Sequence, residues 1–85
     1  MVVHIDLIPY AEITESESLL RSMAEKLTTE KSSIEIETEP EEKRIIISFR
    51  FHSMAQGAAV SLIHSQLKLA LWEGWEDICI SFSKG

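Results

Sequence analysis

The chain has 85 residues, room for one α+β domain (1–85) with a small core, near the size at which folding without a metal or disulfide requires every apolar face to be used. A composition of 45% hydrophobic and 26% charged residues excludes a disordered tail and a fibrous repeat. Acidic residues outnumber basic ones 14 to 8, and the net charge of −6 repels phosphate backbones and anionic lipid, so neither nucleic acid nor a membrane surface is an expected partner.

From Val3 to Leu7 the apolar Val3, Ile5 and Leu7 alternate with His4 and Asp6, the period of a half-buried strand, and Pro9 ends it. Thr14 followed by Glu17 has the spacing of a capping box, and Leu19, Leu20, Met23, Ala24 and Leu27 recur at helical spacing, which predicts a helix from about Glu15 to Thr28. Glu15 and Glu17 suit the positive end of its dipole. Ile34 to Thr38 alternates again, Glu39 to Lys43 reads as a turn, and Arg44 to His52 as a longer strand. The hairpin so formed sets Thr38 against Ile45, Ile36 against Ile47 and Ile34 against Phe49, with Glu37 and Glu35 opposite Ile46 and Ser48 on the other face.

Ser53 with Gln56 repeats the capping-box spacing before a stripe of Ala59, Leu62, Ile63, Leu67, Ala70 and Leu71, predicting a helix from about Met54 to Glu73. Gly57 falls in its first turn, and Gly74 is placed to take the left-handed conformation that stops it. Ile78, Ile80 and Phe82 alternate with Cys79 and Ser81 in a last strand.

Strands whose apolar residues share one parity must be covered on that side, and the stripes of the two helices are the apolar surfaces available. Right-handed crossovers then place the hairpin's second strand beside the first strand and the last strand on its other side. The expected architecture is a two-layer α+β sandwich, β-α-β-β-α-β, with antiparallel sheet order 4-1-3-2. That element order resembles the ferredoxin-like arrangement, which hosts many unrelated activities.

No combination of residues amounts to a catalytic signature, a metal-binding motif or a cofactor-binding motif, so no catalytic residue, metal or cofactor is expected. The uncovered sheet face carries His4 and Asp6, Glu35 and Glu37, Ser48, Arg50 and His52, and Cys79 and Ser81. With the first and third strands antiparallel, His4 is expected to approach His52 or Arg50, and Asp6 to approach Arg50 or Ser48. Two histidines and a carboxylate on one face have the chemistry of a ligand or acid–base site. The plainer reading is an Asp6–Arg50 ion pair with partly exposed histidines.

Phe49 and Phe51 sit on the strand that bears stacking aromatics in the RNA-recognition fold, yet their parity with Ile45 and Ile47 puts them in the core, and the flanking glycine and basic residues are absent. Lys26, Lys31, Lys43, Arg44, Lys68 and Lys84 are scattered among acidic neighbours as solvated surface. The lone Cys79 excludes an internal disulfide, fits a reducing cytoplasm and, with no cation beside it in sequence, reads as a buried or half-buried structural thiol. His64, beside Ser61, Ser65 and Lys68 on the polar side of the second helix, reads as a solvated surface histidine. The first residues lack a basic leader and a long apolar run, so no targeting or spanning segment is expected.

Two features point to a protein partner or to a homo-oligomer. Trp72 and Trp75 lie on either side of Glu73 and Gly74, and burying both indoles fully in so small a domain is difficult, so one is expected to stay partly exposed and available to a partner. The second strand is guarded by Glu35, Glu37 and Glu39, whereas Ile78 to Ser83 carries no charge. The last strand, including Ile78, Cys79 and Ser81, or the adjoining open face with Val2, Ile8 and Ile46, is therefore the expected interface. The leading reading is a small acidic interaction or regulatory module, and the alternative is a small-molecule or enzymatic site on the open face at His4, Asp6, Arg50 and His52.

Overall fold

Alternating apolar residues at the start of the chain form the centre of the sheet. In the computed structural model, which describes residues 1–52 and 55–84, β1 (Val2–Pro9) is followed by α1 (Ile13–Leu27), β2 (Glu35–Glu39), β3 (Arg44–Arg50), α2 (Gln56–Ala70) and β4 (Trp75–Ser83), with one 3₁₀ turn at Lys31–Ser33. The strands form one antiparallel sheet in the order β2-β3-β1-β4, the 4-1-3-2 arrangement read from its other edge. It is a ferredoxin-like α+β sandwich.

Position in the sheet grades the burial. Val3, Ile5 and Leu7 of β1 and Ile45, Ile47 and Phe49 of β3 are buried, joined by Leu20, Met23 and Ala24 of α1 and Ala59, Ile63 and Leu67 of α2. The inward residues nearer the edges, Ile34 and Ile36 on one side and Ile78, Ile80 and Phe82 on the other, are only partly buried. Phe49 and Phe51 meet edge to face within the core, 6.3 Å between ring centres.

The hairpin takes the expected register, Thr38 opposite Ile45, Ile36 opposite Ile47, Glu37 opposite Ile46 and Glu35 opposite Ser48. Ile34 lies outside the ladder, at the end of the 3₁₀ turn. The loop closes through the Glu42 and Lys43 N–H groups, which donate to the carbonyls of Glu39 and Pro40, and Lys43 takes a left-handed φ of 56°.

The helix ends depart from expectation. Among the described residues no side chain caps α1: it starts at Ile13, with the Ser16 N–H donating to the Glu12 carbonyl, so Thr14 lies inside the first turn and the Thr14–Glu17 box does not form. Packing Ile13 against the core outweighs the cap. Ser53 of the second box lies outside the described residues. At the other end α2 stops at Ala70 instead of Glu73, because Leu71 turns into the core with non-helical torsions. Gly74, at a φ of 85°, then donates its N–H to the Leu71 carbonyl and closes the turn into β4.

Candidate functional site

The outward residues of the sheet form the open face, and the β1–β3 register decides which of them meet. His4 lies opposite Ser48, Asp6 opposite Ile46 and Val2 opposite Arg50. His52 follows Ser48 by four residues, so at the rise of a strand it stands about 13 Å further along and does not meet His4. Its ring stacks instead on Phe51, with centroids 4.5 Å apart.

Asp6 does not pair with Arg50. Its carboxylate accepts from the guanidinium of Arg44 at 2.7 Å, on the diagonal across β1 and β3, and Arg44 also reaches Glu42 at 3.3 Å. Arg44 is thus a structural cation and not free solvated surface; the hydrogen bond to Asp6 and its charge raise the guanidinium pKa above the ordinary value. Arg50 bridges to Glu30 at 3.2 Å, while its backbone N–H donates to the Ser33 hydroxyl at 2.9 Å and its carbonyl accepts from Thr28 at 2.7 Å. These bonds tie the end of β3 to the segment leading into β2.

Of the four residues proposed for a ligand, the structure brings two together. His4 and Arg50 both line a shallow depression of about 310 Å³ with Val2, Ser33, Glu35, Ser48 and Ser83. Asp6 and His52 lie outside it. The Nε2 atom of His4 is 2.8 Å from the Ser83 hydroxyl, a link from β1 to β4. Among the described residues no three His, Cys, Asp or Glu side chains are grouped closely enough to hold a metal ion.

The other candidate is the outer edge of β4. Among the described residues this strand pairs with β1 alone, in a register running from Val2 opposite Ser83 to Ile8 opposite Asp77. The register slips between Ile8 and Pro9, whose partner is Trp75, leaving Glu76 as the extra residue of a bulge. From Ile78 to Ser83 the outward positions are Cys79, Ser81 and Ser83, all exposed. Cys79 is therefore an exposed thiol rather than a buried one, because an outward residue on an edge strand is covered by neither helix.

The two tryptophans separate. Trp72, in the turn after α2, is 85% exposed, whereas Trp75 opens β4, packs against the core and meets the ring of His64 edge to face at 5.9 Å. That contact makes His64 half-buried and not the solvated histidine expected. Sequence reasoning missed the exposure of Leu69 (75%) and Tyr10 (66%), and it placed Leu19 (37%) on the inner stripe of its helix. Leu19, Leu69 and Trp72 line adjoining hollows between the outer faces of α1 and α2. Ser16, near the start of α1, is fully buried, and among the described residues its hydroxyl has no hydrogen-bond partner.

No helix among the described residues is long and apolar enough to cross a membrane. Comparison with protein-family models, curated proteins and solved structures finds no match to this chain.

Proposed function

We propose that this chain is a non-catalytic interaction module that accepts another β-strand along the outer edge of β4. The observation that supports it is the contrast between the two edges of the sheet. β2 is short (5 residues) and carries Glu35, Glu37 and Glu39, the charged rim that deters strand pairing. β4 is longer (9 residues), has no charge from Ile78 to Ser83, and leaves Ile78, Ile80 and Phe82 partly uncovered although the residues they pair with, Leu7, Ile5 and Val3, are buried. A strand laid beside β4 satisfies its outward N–H and C=O groups and extends the apolar layer. The exposed Trp72, beyond the start of the same strand, supplies a large flat anchor for the body that carries the added strand. The lone, exposed thiol suits a reducing cytoplasm.

The alternative, a small-molecule site on the open face, has the depression shared by His4 and Arg50 in its favour. Capture from lysate of the native cell separates the two readings, using tagged wild type, Cys79→Lys/Ser81→Lys and His4→Ala/His52→Ala as baits. The strand-edge reading expects the histidine variant to retain what wild type holds, further copies of the chain included, and the lysine variant to lose it. The reverse pattern, or loss in both variants, assigns the function to the open face, where Ser81 stands directly opposite His4, and overturns the strand-edge reading.

A further inference from the structure

We infer that the strand received by β4 is β4 of a second copy of this chain, antiparallel and in the register centred on Ile80. This rests on the strand-edge reading and names its partner. Three features of β4 carry it.

The first is length. The bulge at Glu76 bends the strand where pairing with β1 slips, so the straight edge runs from Asp77 to Ser83. Its midpoint is Ile80. Antiparallel pairing about that residue uses the whole straight edge of both copies, and any shift leaves outward backbone groups of each copy unpaired.

The second is parity. In this register Ile80 faces Ile80, Ile78 faces Phe82 of the second copy, and all of these are inward residues that a single copy leaves partly buried. On the open face Cys79 faces Ser81 and Asp77 faces Ser83. A shift of one residue sets inward positions against outward ones and breaks the apolar layer.

The third is charge. β4 opens with Glu76 and Asp77 and is followed by Lys84. Antiparallel pairing brings Lys84 of each copy to Glu76 of the other, whereas parallel pairing sets carboxylates beside carboxylates. Pairing β4 with β2 of another copy, which would build an open-ended fibre, meets Glu35, Glu37 and Glu39 instead. With a net charge of −6 on each copy, long-range repulsion opposes every pairing, and the opposite-sign ends of β4 select this one. The product is a closed two-fold dimer with a continuous sheet of twice the width.

The lone cysteine reports the register. Residues directly opposite in an antiparallel pair have Cα atoms about 4.5–5.5 Å apart, within disulfide reach, while diagonal neighbours stand about 7–8 Å apart, beyond it. Wild type, whose thiol is at position 79, is mixed with Cys79→Ser/Ser81→Cys, whose thiol is at position 81, and oxidised with oxidised glutathione. The mixed sample is expected to form a disulfide-linked dimer holding one chain of each kind, on the order of tenfold faster than either protein forms its own, because only the mixed pair has thiols in direct opposition.

Equal rates in all three samples overturn the register. Fastest linking of wild type with itself centres the pairing on Cys79 and overturns this proposal while leaving β4 as the edge in use. A strict monomer by sedimentation, with no adduct in any sample, overturns the second copy as partner. The capture pattern of the lysine and histidine variants then decides the strand-edge reading independently.

Discussion

Asp6 and Arg44 join the two central strands from the open side: the carboxylate on β1 and the guanidinium on β3 meet at 2.7 Å across a diagonal, over a layer whose other face is fully buried. Both side chains remain partly accessible, so the attraction is screened by salt. A double-mutant cycle with Asp6→Asn and Arg44→Met is expected to return a favourable coupling that shrinks as salt rises. The same cycle on Asp6 and Arg50 is expected to return none. Chemical denaturation at low and high salt checks both, and a coupling between Asp6 and Arg50 contradicts the observed register.

Ser16 is the one fully buried polar side chain among the described residues, and its hydroxyl is unsatisfied. Leaving a buried hydroxyl without a partner costs about 1–3 kcal/mol, and alanine is the better helix former. Ser16→Ala is therefore expected to stabilise the fold by about 1 kcal/mol, which raises the midpoint of a thermal melt by about 4–8 °C in a domain of this size. A lowered melting temperature would show that the hydroxyl has a partner after all.

Lys43 holds a φ of 56° at the end of the β2–β3 turn, in the region where a side chain costs about 1–2 kcal/mol and glycine costs little. Lys43→Gly relieves that strain but gives the unfolded chain more freedom, so the net gain is expected to be up to about 1 kcal/mol. Lys43→Val is expected to destabilise. Urea midpoints of the two variants against wild type check the sign.

The Glu39 carboxyl titrates above its ordinary value of 4.5, chiefly through the hydrogen bond it shares with the Glu42 carboxyl and then through the Glu42 charge. A carboxyl whose folded pKa is raised binds its proton more tightly in the folded state, so its contribution to stability is present below the ordinary value and is lost as pH rises through the raised one. Glu42→Gln is expected to bring the Glu39 midpoint down and to remove that loss. Carboxyl-carbon titration by NMR, with denaturation run across the same pH window, checks both; an unchanged Glu39 midpoint contradicts the coupling.

Side-chain parity made the sheet legible, since Val3, Ile5, Leu7, Ile45, Ile47 and Phe49 can share a face only in one layer. The β2–β3 register was legible too, because its own short turn fixes it. The β1–β3 register was not. Those strands are joined through a helix, no turn pins them, and a slip of two residues preserves parity, so the residue pattern admits Arg50 or His52 opposite His4 as readily as Ser48, which the structure places there. Thr14 misled for a different reason: a local capping preference competes with burial of Ile13, and burial decides. The exposed edge at Cys79 was visible as an absence of charge, but its bulge at Glu76, which sets the usable length of the edge, leaves no mark in the residue pattern.

Amide hydrogen exchange of β4, followed as protein concentration is raised, tests the central claim most directly. Alternate amides between Asp77 and Ser83, those pointing away from β1, are expected to become protected with concentration, while the amides along the outer edge of β2 stay unchanged. Exchange of the outward β4 amides at one rate across all concentrations, or protection that appears on β2 instead, would contradict it.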